Sequence, residues 1–148
     1  MTIELATEQD LEDCLPAAKE FHEVFDPGVK FSPSAFLHYW RWVLSGDSGI
    51  MLLAKEHGVV VGGIGGIITK FQTSEVLNFV EMFYWVSESH RGSLALKLIR
   101  KLEKECKKRG AQRIVMACME NSMPERVERL YLSLGYKPME RHFMKEVG

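Results

Sequence analysis

Residues 80–110 have the sequence VEMFYWVSESHRGSLALKLIRKLEKECKKRG, and this stretch decides the fold that the chain predicts. An aromatic and apolar run typical of a strand passes through the polar turn Arg91-Gly92-Ser93 into an amphipathic helix that Gly110 ends. Amide groups in the first turn of a helix have no partners within the helix, and the positive end of the helix dipole favours an anion. The stretch therefore predicts a strand, an anion-binding turn and a helix, with a phosphate-bearing cofactor as the first hypothesis.

The rest of the chain carries alternating and helical patterns that predict an α/β domain with a mixed sheet. Predicted strands cover residues 2–6, 49–56, 59–69, 77–86, 113–119 and 137–147. Predicted helices cover residues 11–25, 33–46, 91–109 and 124–134. The continuous apolar run at 113–119 is typical of a buried central strand. No linker or repeat interrupts this order, so we expect residues 1–148 to form a single domain.

The predicted strands at 49–56 and 59–69 flank His57-Gly58 and indicate an antiparallel hairpin with a tight turn. Glycine within a strand weakens it and marks either a β-bulge or the close approach of another group, such as a packed helix. The second strand of the hairpin carries four glycines, Gly62, Gly63, Gly65 and Gly66. The hairpin is therefore predicted to be bulged, or closely covered, at these positions.

The composition is that of an ordinary folded domain and shows no bias toward a macromolecular partner. Hydrophobic residues make up 46% of the chain and charged residues 26%, which argues against disorder. The formal net charge of -1 gives no reason to expect binding to nucleic acid or to an anionic membrane. The first residues, MTIELATEQD, have no basic region followed by an apolar run. We therefore expect a cytoplasmic protein that binds neither partner.

The cysteines and histidines predict neither disulfides nor a metal site. Cys14, Cys106 and Cys118 are odd in number and lack CxxC spacing, so they make a poor disulfide framework and a poor zinc site. His57 and His142 have no metal-ligand partners at a recognisable spacing. We expect reduced thiols and no metal.

The order of the predicted elements and two segments resemble the Gcn5-related N-acetyltransferase (GNAT) superfamily along essentially the whole chain. The segments are SESHRGSLALKLI at residues 87–99 and RLYLSLGYKPMERHFMKEV at 129–147. The most specific feature is Tyr131 followed four residues later by Gly135 and then Tyr136, which matches the closing motif of that family. The resemblance implies a mostly antiparallel sheet of about six strands, splayed in the middle. It also implies acetyl transfer from acetyl-coenzyme A (acetyl-CoA) to a primary amine by direct attack in a ternary complex.

The family places the coenzyme pyrophosphate on a turn with the pattern Arg or Gln, two residues, Gly, one residue, then Gly or Ala. Here the turn at 91–95 has one glycine and is about one residue shorter, and the pattern begins at either His90 or Arg91. The resemblance implies that the pantetheine arm pairs with an open strand edge before this turn. The implied coenzyme-binding residues are Trp85, Val86, His90, Arg91, Gly92, Ser93, Leu94, Ala95 and Asn121. The shortened turn also leaves open a non-catalytic binding or regulatory module of the same fold.

Two residues are candidates for proton transfer. Glu81 lies in the apolar sequence FVEMFYWV, where burial would raise the pKa of a carboxyl toward the working range. The alternative is that Glu81 faces solvent or pairs with a lysine. Its position also resembles that of a family glutamate that acts as general base. Tyr131 resembles the family tyrosine that gives its proton to the departing thiolate, and the alternative is a core tyrosine.

The acceptor amine belongs to a small molecule or to a protein or peptide, and the sequence does not choose between them. Aromatic side chains of the first two helices either line the acceptor pocket or fill the core. They are His22, Phe25, His38, Tyr39, Trp40 and Trp42. Cys118 is interpreted as a small core residue rather than an acyl carrier. A homodimer formed through exposed edge strands is a further possibility.

Overall fold

The computed structural model describes residues 1–148 and divides them into two compact units, Met1–Ala117 and Cys118–Gly148. The strands of the larger unit are β1 (Thr2–Leu5), β2 (Gly49–Glu56), β3 (Val59–Lys70), β4 (Leu77–Val86) and β5 (Arg113–Val115). Its helices are α1 (Leu15–Phe25), α2 (Pro33–Leu44) and α3 (Ser93–Lys108), with short 3-10 turns at Glu8–Asp10 and Glu88–His90. The smaller unit contains α4 (Pro124–Ser133).

The five strands form one mixed sheet in the order β1-β2-β3-β4-β5. Neighbouring strands from β1 to β4 run antiparallel, whereas β5 runs parallel to β4 at one edge. Because β4 and β5 are parallel, the chain must cross over between them, and α3 is that crossover. The predicted mixed, mostly antiparallel α/β sheet is confirmed, with five strands rather than about six.

β3 and β4 are joined through a β-bulge. Gly65 lies opposite Phe83, whereas the next pair joins Gly66 to Glu81, so Met82 is an extra residue on β4. An extra residue changes which face of the sheet the following side chains occupy. The extra residue lies on β4, opposite the glycines, and not on β3, where the glycines predicted a bulge.

The bulge turns two adjacent β4 side chains toward α2. The Tyr39 hydroxyl donates a hydrogen bond to Sδ of Met82 at 2.8 Å. The Phe83 ring packs edge-on against Trp40, with the ring centroids 5.3 Å apart. Residues that would alternate in a regular strand thus both contact one helix.

The β3 glycines also allow helices to pack closely on both faces of the sheet. A Cβ atom at Gly62 would lie 3.4 Å from side-chain atoms of Leu94 and Leu98 on α3. A Cβ atom at Gly65 would lie 3.2 Å from the ring of Trp40 on α2. Because residues 62 and 65 point to opposite faces, α3 and α2 cover opposite faces of β3. Close helix packing, one of the two predicted explanations of the glycines, is therefore present at Gly62 and Gly65.

The first helix begins later than its pattern predicted. Residues 8–10 form a 3-10 turn, and α1 starts only at Leu15. Pro16 explains this start, because proline lacks an amide hydrogen and its ring clashes with the carbonyl four residues earlier unless it lies in the first turn.

Two predicted strands are wrong. The run at 113–119 forms a strand only at Arg113–Val115, and it is an edge strand rather than a central one. The segment 137–147 forms no strand, and its side chains are exposed. An apolar pattern predicts burial, but a strand also needs a neighbour with free hydrogen-bonding groups, which the pattern does not report.

Replacing Gly66 with alanine tests the bulge. The added Cβ would overlap the backbone oxygen of Val80, and backbone cannot move aside as a flexible side chain can. We expect Gly66→Ala to lower the free energy of unfolding by about 2–3 kcal/mol, measured by denaturant titration. Gly46→Ala is the matched control, because nothing lies within 4 Å of its added Cβ. An equal loss in both variants would contradict this account of the bulge.

Candidate active site

β4 has a partner on its β5 side only near its beginning. The ladder to β5 ends at the pair of Val80 and Val115, whereas β4 continues to Val86. No strand ladder therefore covers this edge of β4 from Glu81 onward, and the edge includes Trp85 and Val86. Unpaired backbone groups in an extended strand can bond an amide-containing ligand laid beside them, like an added strand.

Glu81 lies at the point where β4 and β5 separate. Its Oε2 accepts a hydrogen bond from the Ala117 amide at 2.8 Å, so a side chain makes the next bond after the ladder ends. Burial raises the pKa of this carboxyl to about 7, and the bond from Ala117 opposes that rise. The carboxyl pairs with a backbone amide rather than with a lysine. Near neutral pH it can both accept and return a proton.

Tyr84 is a half-buried residue with a buried hydroxyl, and sequence reasoning missed it. It lies opposite Ile64, and Glu81 lies opposite Gly66. Because Ile64 and Gly66 are two residues apart on β3, Tyr84 and Glu81 share one face of the sheet. The Tyr84 hydroxyl is buried without a hydrogen-bond partner. Burial raises its pKa above the ordinary value, and the charge of Glu81 raises it further, so the hydroxyl keeps its proton.

The predicted anion-binding turn joins the end of β4 to α3. Gly92 precedes the first residue of α3 with φ 108° and ψ -115°, a conformation essentially restricted to glycine. Arg91, Gly92 and Ser93 are exposed, as an anion site at a helix N-terminus requires. The Leu94 side chain is buried and Ala95 is half-buried, so these two residues offer a ligand mainly their backbone amides.

The His90 side chain is held by other protein groups. Its Nδ1 lies 2.7 Å from the Ser87 hydroxyl and 2.9 Å from the Ser89 hydroxyl. Its Nε2 lies 2.8 Å from Oε2 of Glu56, at the end of β2. Sequence reasoning missed Glu56, because no local pattern connects residues that are 34 positions apart.

The predicted acceptor-pocket aromatics divide into core and surface residues. Trp40 is buried in the core between α2 and the sheet, whereas Trp42 is 62% exposed and Phe25 is also exposed. Tyr39 is bonded to Met82. His22 contacts the backbone oxygen of Val29 through Nε2 at 2.6 Å.

The smaller unit contains the closing motif. Tyr131 is 7% exposed, and its ring centroid lies 5.7 Å from that of Tyr136. Gly135, with φ 91°, turns the chain after α4. The backbone amide of Tyr136 donates a hydrogen bond to the backbone carbonyl oxygen of Tyr131 at 3.0 Å. The motif spacing therefore reflects a helix end that brings two tyrosines together. Asn121 is exposed in the turn before α4.

Cys118 does not lie in a buried strand, as the sequence predicted, but is exposed. The run was interpreted as buried because it is apolar, yet the strand ends before this residue. Partial burial raises the pKa of the Cys118 thiol, and the neighbouring carboxylates of Glu128 and Glu120 raise it further. A thiol that keeps its proton is a poor nucleophile.

No group of three or more His, Cys, Asp or Glu side chains is arranged to hold a metal ion. None of the helices combines the length and the apolar character needed to cross a membrane.

Residues 9–136 match the sequence model of the Acetyltransferase (GNAT) family, a range that includes β4, the turn, α3 and the Tyr131 motif. The chain belongs to this family. A comparison with curated proteins found no matching sequence.

Solved GNAT-fold structures match the chain over nearly its whole length. An aminoglycoside acetyltransferase from an uncultured soil metagenomic sample is 24% identical, with 100% of both chains covered and a TM-score of 0.75. Ribosomal-protein-alanine N-acetyltransferase from Brucella melitensis biovar Abortus is 20% identical, with 99% of this chain and 97% of that chain covered and a TM-score of 0.77. AAC(6')-Iy, solved in complex with the bisubstrate analogue CoA-S-monomethyl-acetylneamine, is 16% identical, with 99% of this chain and 97% of that chain covered and a TM-score of 0.73. At these identities the likeness shows a shared fold.

The raised pKa of Glu81 predicts a pH-dependent stability. The folded protein holds this proton more tightly than the unfolded chain, whose carboxyl titrates near 4.5. The stabilisation is complete below pH 4.5 and is lost as the pH rises through about 7, a loss of about 3 kcal/mol. Glu81→Gln should lack this loss. Unfolding free energies of both proteins at several pH values check it, and parallel curves would contradict it.

The unpartnered Tyr84 hydroxyl predicts that its removal does not destabilise the fold. We expect Tyr84→Phe to raise the free energy of unfolding by about 1 kcal/mol, because a buried hydroxyl without a partner is unfavourable. Tyr39→Phe is the control, since that hydroxyl bonds Met82 and its loss brings no such gain. Chemical denaturation of both variants measures the difference, and a clear loss of stability in Tyr84→Phe would show that the hydroxyl has a partner.

Proposed function

We propose that this protein transfers the acetyl group of acetyl-CoA to a primary amine by direct attack in a ternary complex. The observation that carries the proposal is Glu81, a half-buried carboxyl with a pKa of about 7 at the point where β4 and β5 separate. A group suited to proton transfer beside an open strand edge supports a transfer reaction there. Membership of the GNAT family supports the same reaction.

The open edge and the turn suit different parts of the coenzyme. The pantetheine arm carries amides, which fit the part of the β4 edge that has no β5 partner, the part that includes Trp85 and Val86. The pyrophosphate fits the exposed turn from Arg91 to Ser93 and the free amides at the beginning of α3. Arg91 adds a positive charge at this turn. By resemblance to the family, Asn121 is a further coenzyme contact.

Glu81 and Tyr131 would carry the protons. The acceptor amine must be neutral to attack, and Glu81 in its ionised form accepts the proton that the amine loses. The amine nitrogen forms a bond to the acetyl carbonyl carbon, and the bond from that carbon to sulfur breaks. Tyr131 returns a proton to the departing thiolate, because phenol and thiol have comparable acidity. Cys118, exposed and with a raised pKa, is not needed as an acyl carrier.

The acceptor is proposed at the level of its chemistry, as a primary amine of a small molecule or of a protein or peptide. Solved structures that share the fold bear the names of aminoglycoside and ribosomal-protein acetyltransferases. These two classes define the first amines to assay.

Steady-state kinetics with a panel of such amines test the assignment. We expect Glu81→Gln to lower kcat by about 100-fold or more and to remove the rise in kcat/KM as the pH passes about 7. Tyr131→Phe should lower kcat while the KM for acetyl-CoA stays unchanged, since it acts on the leaving group. Cys118→Ala is the matched control and should retain the wild-type rate.

Calorimetry with coenzyme A separates the alternatives. No binding by the wild-type protein would refute the enzyme proposal. Binding without turnover of any amine would instead favour the regulatory module that the single glycine of the turn suggests. A Glu81→Gln protein with an unchanged rate and pH profile would remove Glu81 from the mechanism.

A further inference from the structure

We propose that Glu56 and His90 form a latch that holds the Arg91–Ser93 turn in the conformation that binds the coenzyme pyrophosphate. Both would then be positioning residues, which act on the ligand through the turn rather than by touching it. The inference rests on the proposed function, because it concerns how the same coenzyme site is shaped.

Both ring nitrogens of His90 have protein partners, so the orientation of the ring is fixed. Nε2 lies 2.8 Å from Oε2 of Glu56, and Nδ1 lies 2.7 Å from Oγ of Ser87. The side chain of His90 is 21% exposed and that of Glu56 is 40% exposed. The hydrogen bond from His90 lowers the pKa of Glu56, so this carboxylate is ionised at neutral pH. A ring held at both nitrogens resists rotation and keeps its backbone in place.

The latch connects the turn to rigid parts of the sheet. Glu56 is the last residue of β2 and is paired with Val59 of β3. The backbone amide of Ser87 donates a hydrogen bond to the backbone carbonyl oxygen of Val61 at 2.9 Å. This bond extends the β3–β4 ladder past the end of β4. His90 is therefore tied to two neighbouring strands, although it lies outside the sheet itself.

The turn needs such support because little else in it is fixed. Arg91, Gly92 and Ser93 are exposed, and no side chain caps the beginning of α3. Gly92 also occupies a sparsely populated conformation, which the surroundings must maintain. The buried side chain of Leu94 anchors the turn on one side. The His90 ring, held by Glu56 and Ser87, anchors the turn on the other side. The exposed residues Arg91, Gly92 and Ser93 therefore lie between two anchored residues.

Electrostatics and positioning predict opposite effects when Glu56 is removed. Glu56 is a negative charge close to a proposed phosphate site, and its loss alone would strengthen the binding of an anion. If Glu56 holds the turn, its loss must instead weaken binding. The other charged groups nearby are Glu88 and Arg91 on the turn, together with His57 and the N-terminus, which also interact with Glu56.

Calorimetric titration with coenzyme A tests whether removal of Glu56 weakens or strengthens coenzyme binding. Glu56→Ala and His90→Ala should each weaken binding by about tenfold, the effect of losing a hydrogen bond to a charged group. Glu56→Gln should lose less, because its amide oxygen can still accept a bond from Nε2. The double variant Glu56→Ala/His90→Ala should bind about as weakly as either single variant, since both break one interaction.

The matched control is Glu88→Ala, which removes a carboxylate of the same charge from the 3-10 turn just before Arg91 and leaves the bond between His90 and Glu56 in place. It should bind coenzyme A as tightly as the wild type or more tightly. Hydrogen exchange in the ligand-free proteins gives a second readout: the amides of residues 91–95 should exchange faster in Glu56→Ala than in Glu88→Ala, with equal melting temperatures.

Wild-type affinity in Glu56→Ala, or a gain equal to that of Glu88→Ala, would overturn the latch and leave the proposed function standing. Absence of binding in the wild-type protein would reject the proposed function, and the role of the latch in coenzyme binding with it. A low melting temperature in Glu56→Ala would transfer the comparison to His90→Ala, where affinity unchanged from the wild type together with unchanged exchange of residues 91–95 would equally overturn the latch.

Discussion

The hydrogen bond from the Ala117 amide to the Glu81 carboxylate sets the geometry of the candidate site. The parallel ladder between β4 and β5 ends at Val80 and Val115, and this bond takes the place of the next ladder bond. The Ala117 amide therefore keeps a protein partner at the point where the sheet opens. The same arrangement holds a half-buried carboxyl, whose pKa desolvation raises to about 7. The end of the β4–β5 ladder and the raised pKa of Glu81 are therefore found at the same position of the sheet.

The bulge in β4 determines what surrounds that carboxyl. Met82, the extra residue, turns with Phe83 toward α2, while Glu81 and Tyr84 lie on the face that α3 covers. The glycines of β3 make this possible, because helices pack closely on both faces where side chains are missing. The strand is weakened by its glycines, yet they allow two buried polar groups to share one face beside an open edge.

The sequence was informative where structure is local and uninformative where it depends on distant partners. The turn at His57-Gly58, the apolar stripe of α3 and the end of α4 at Gly135 follow from patterns within a few residues, and all were predicted. The strands at 113–119 and 137–147 failed, because pairing depends on a neighbour that no local pattern identifies. Glu81 was found from its apolar surroundings. Glu56 and Tyr84 were not, since their importance depends on a contact across 34 residues and on a missing bond.

Ala117 is the last residue of the larger unit, so the bond to Glu81 also fixes the place where the chain leaves that unit. A protonated carboxyl is a weaker hydrogen-bond acceptor than a carboxylate, because it has lost its charge. Each time Glu81 takes up a proton, the attachment of the backbone beyond β5 therefore weakens. β5 itself pairs with β4 through three residue pairs, so this bond lies just beyond the end of a short ladder. The protonation state of Glu81 and the strength of the bond that holds the Ala117 amide are therefore linked.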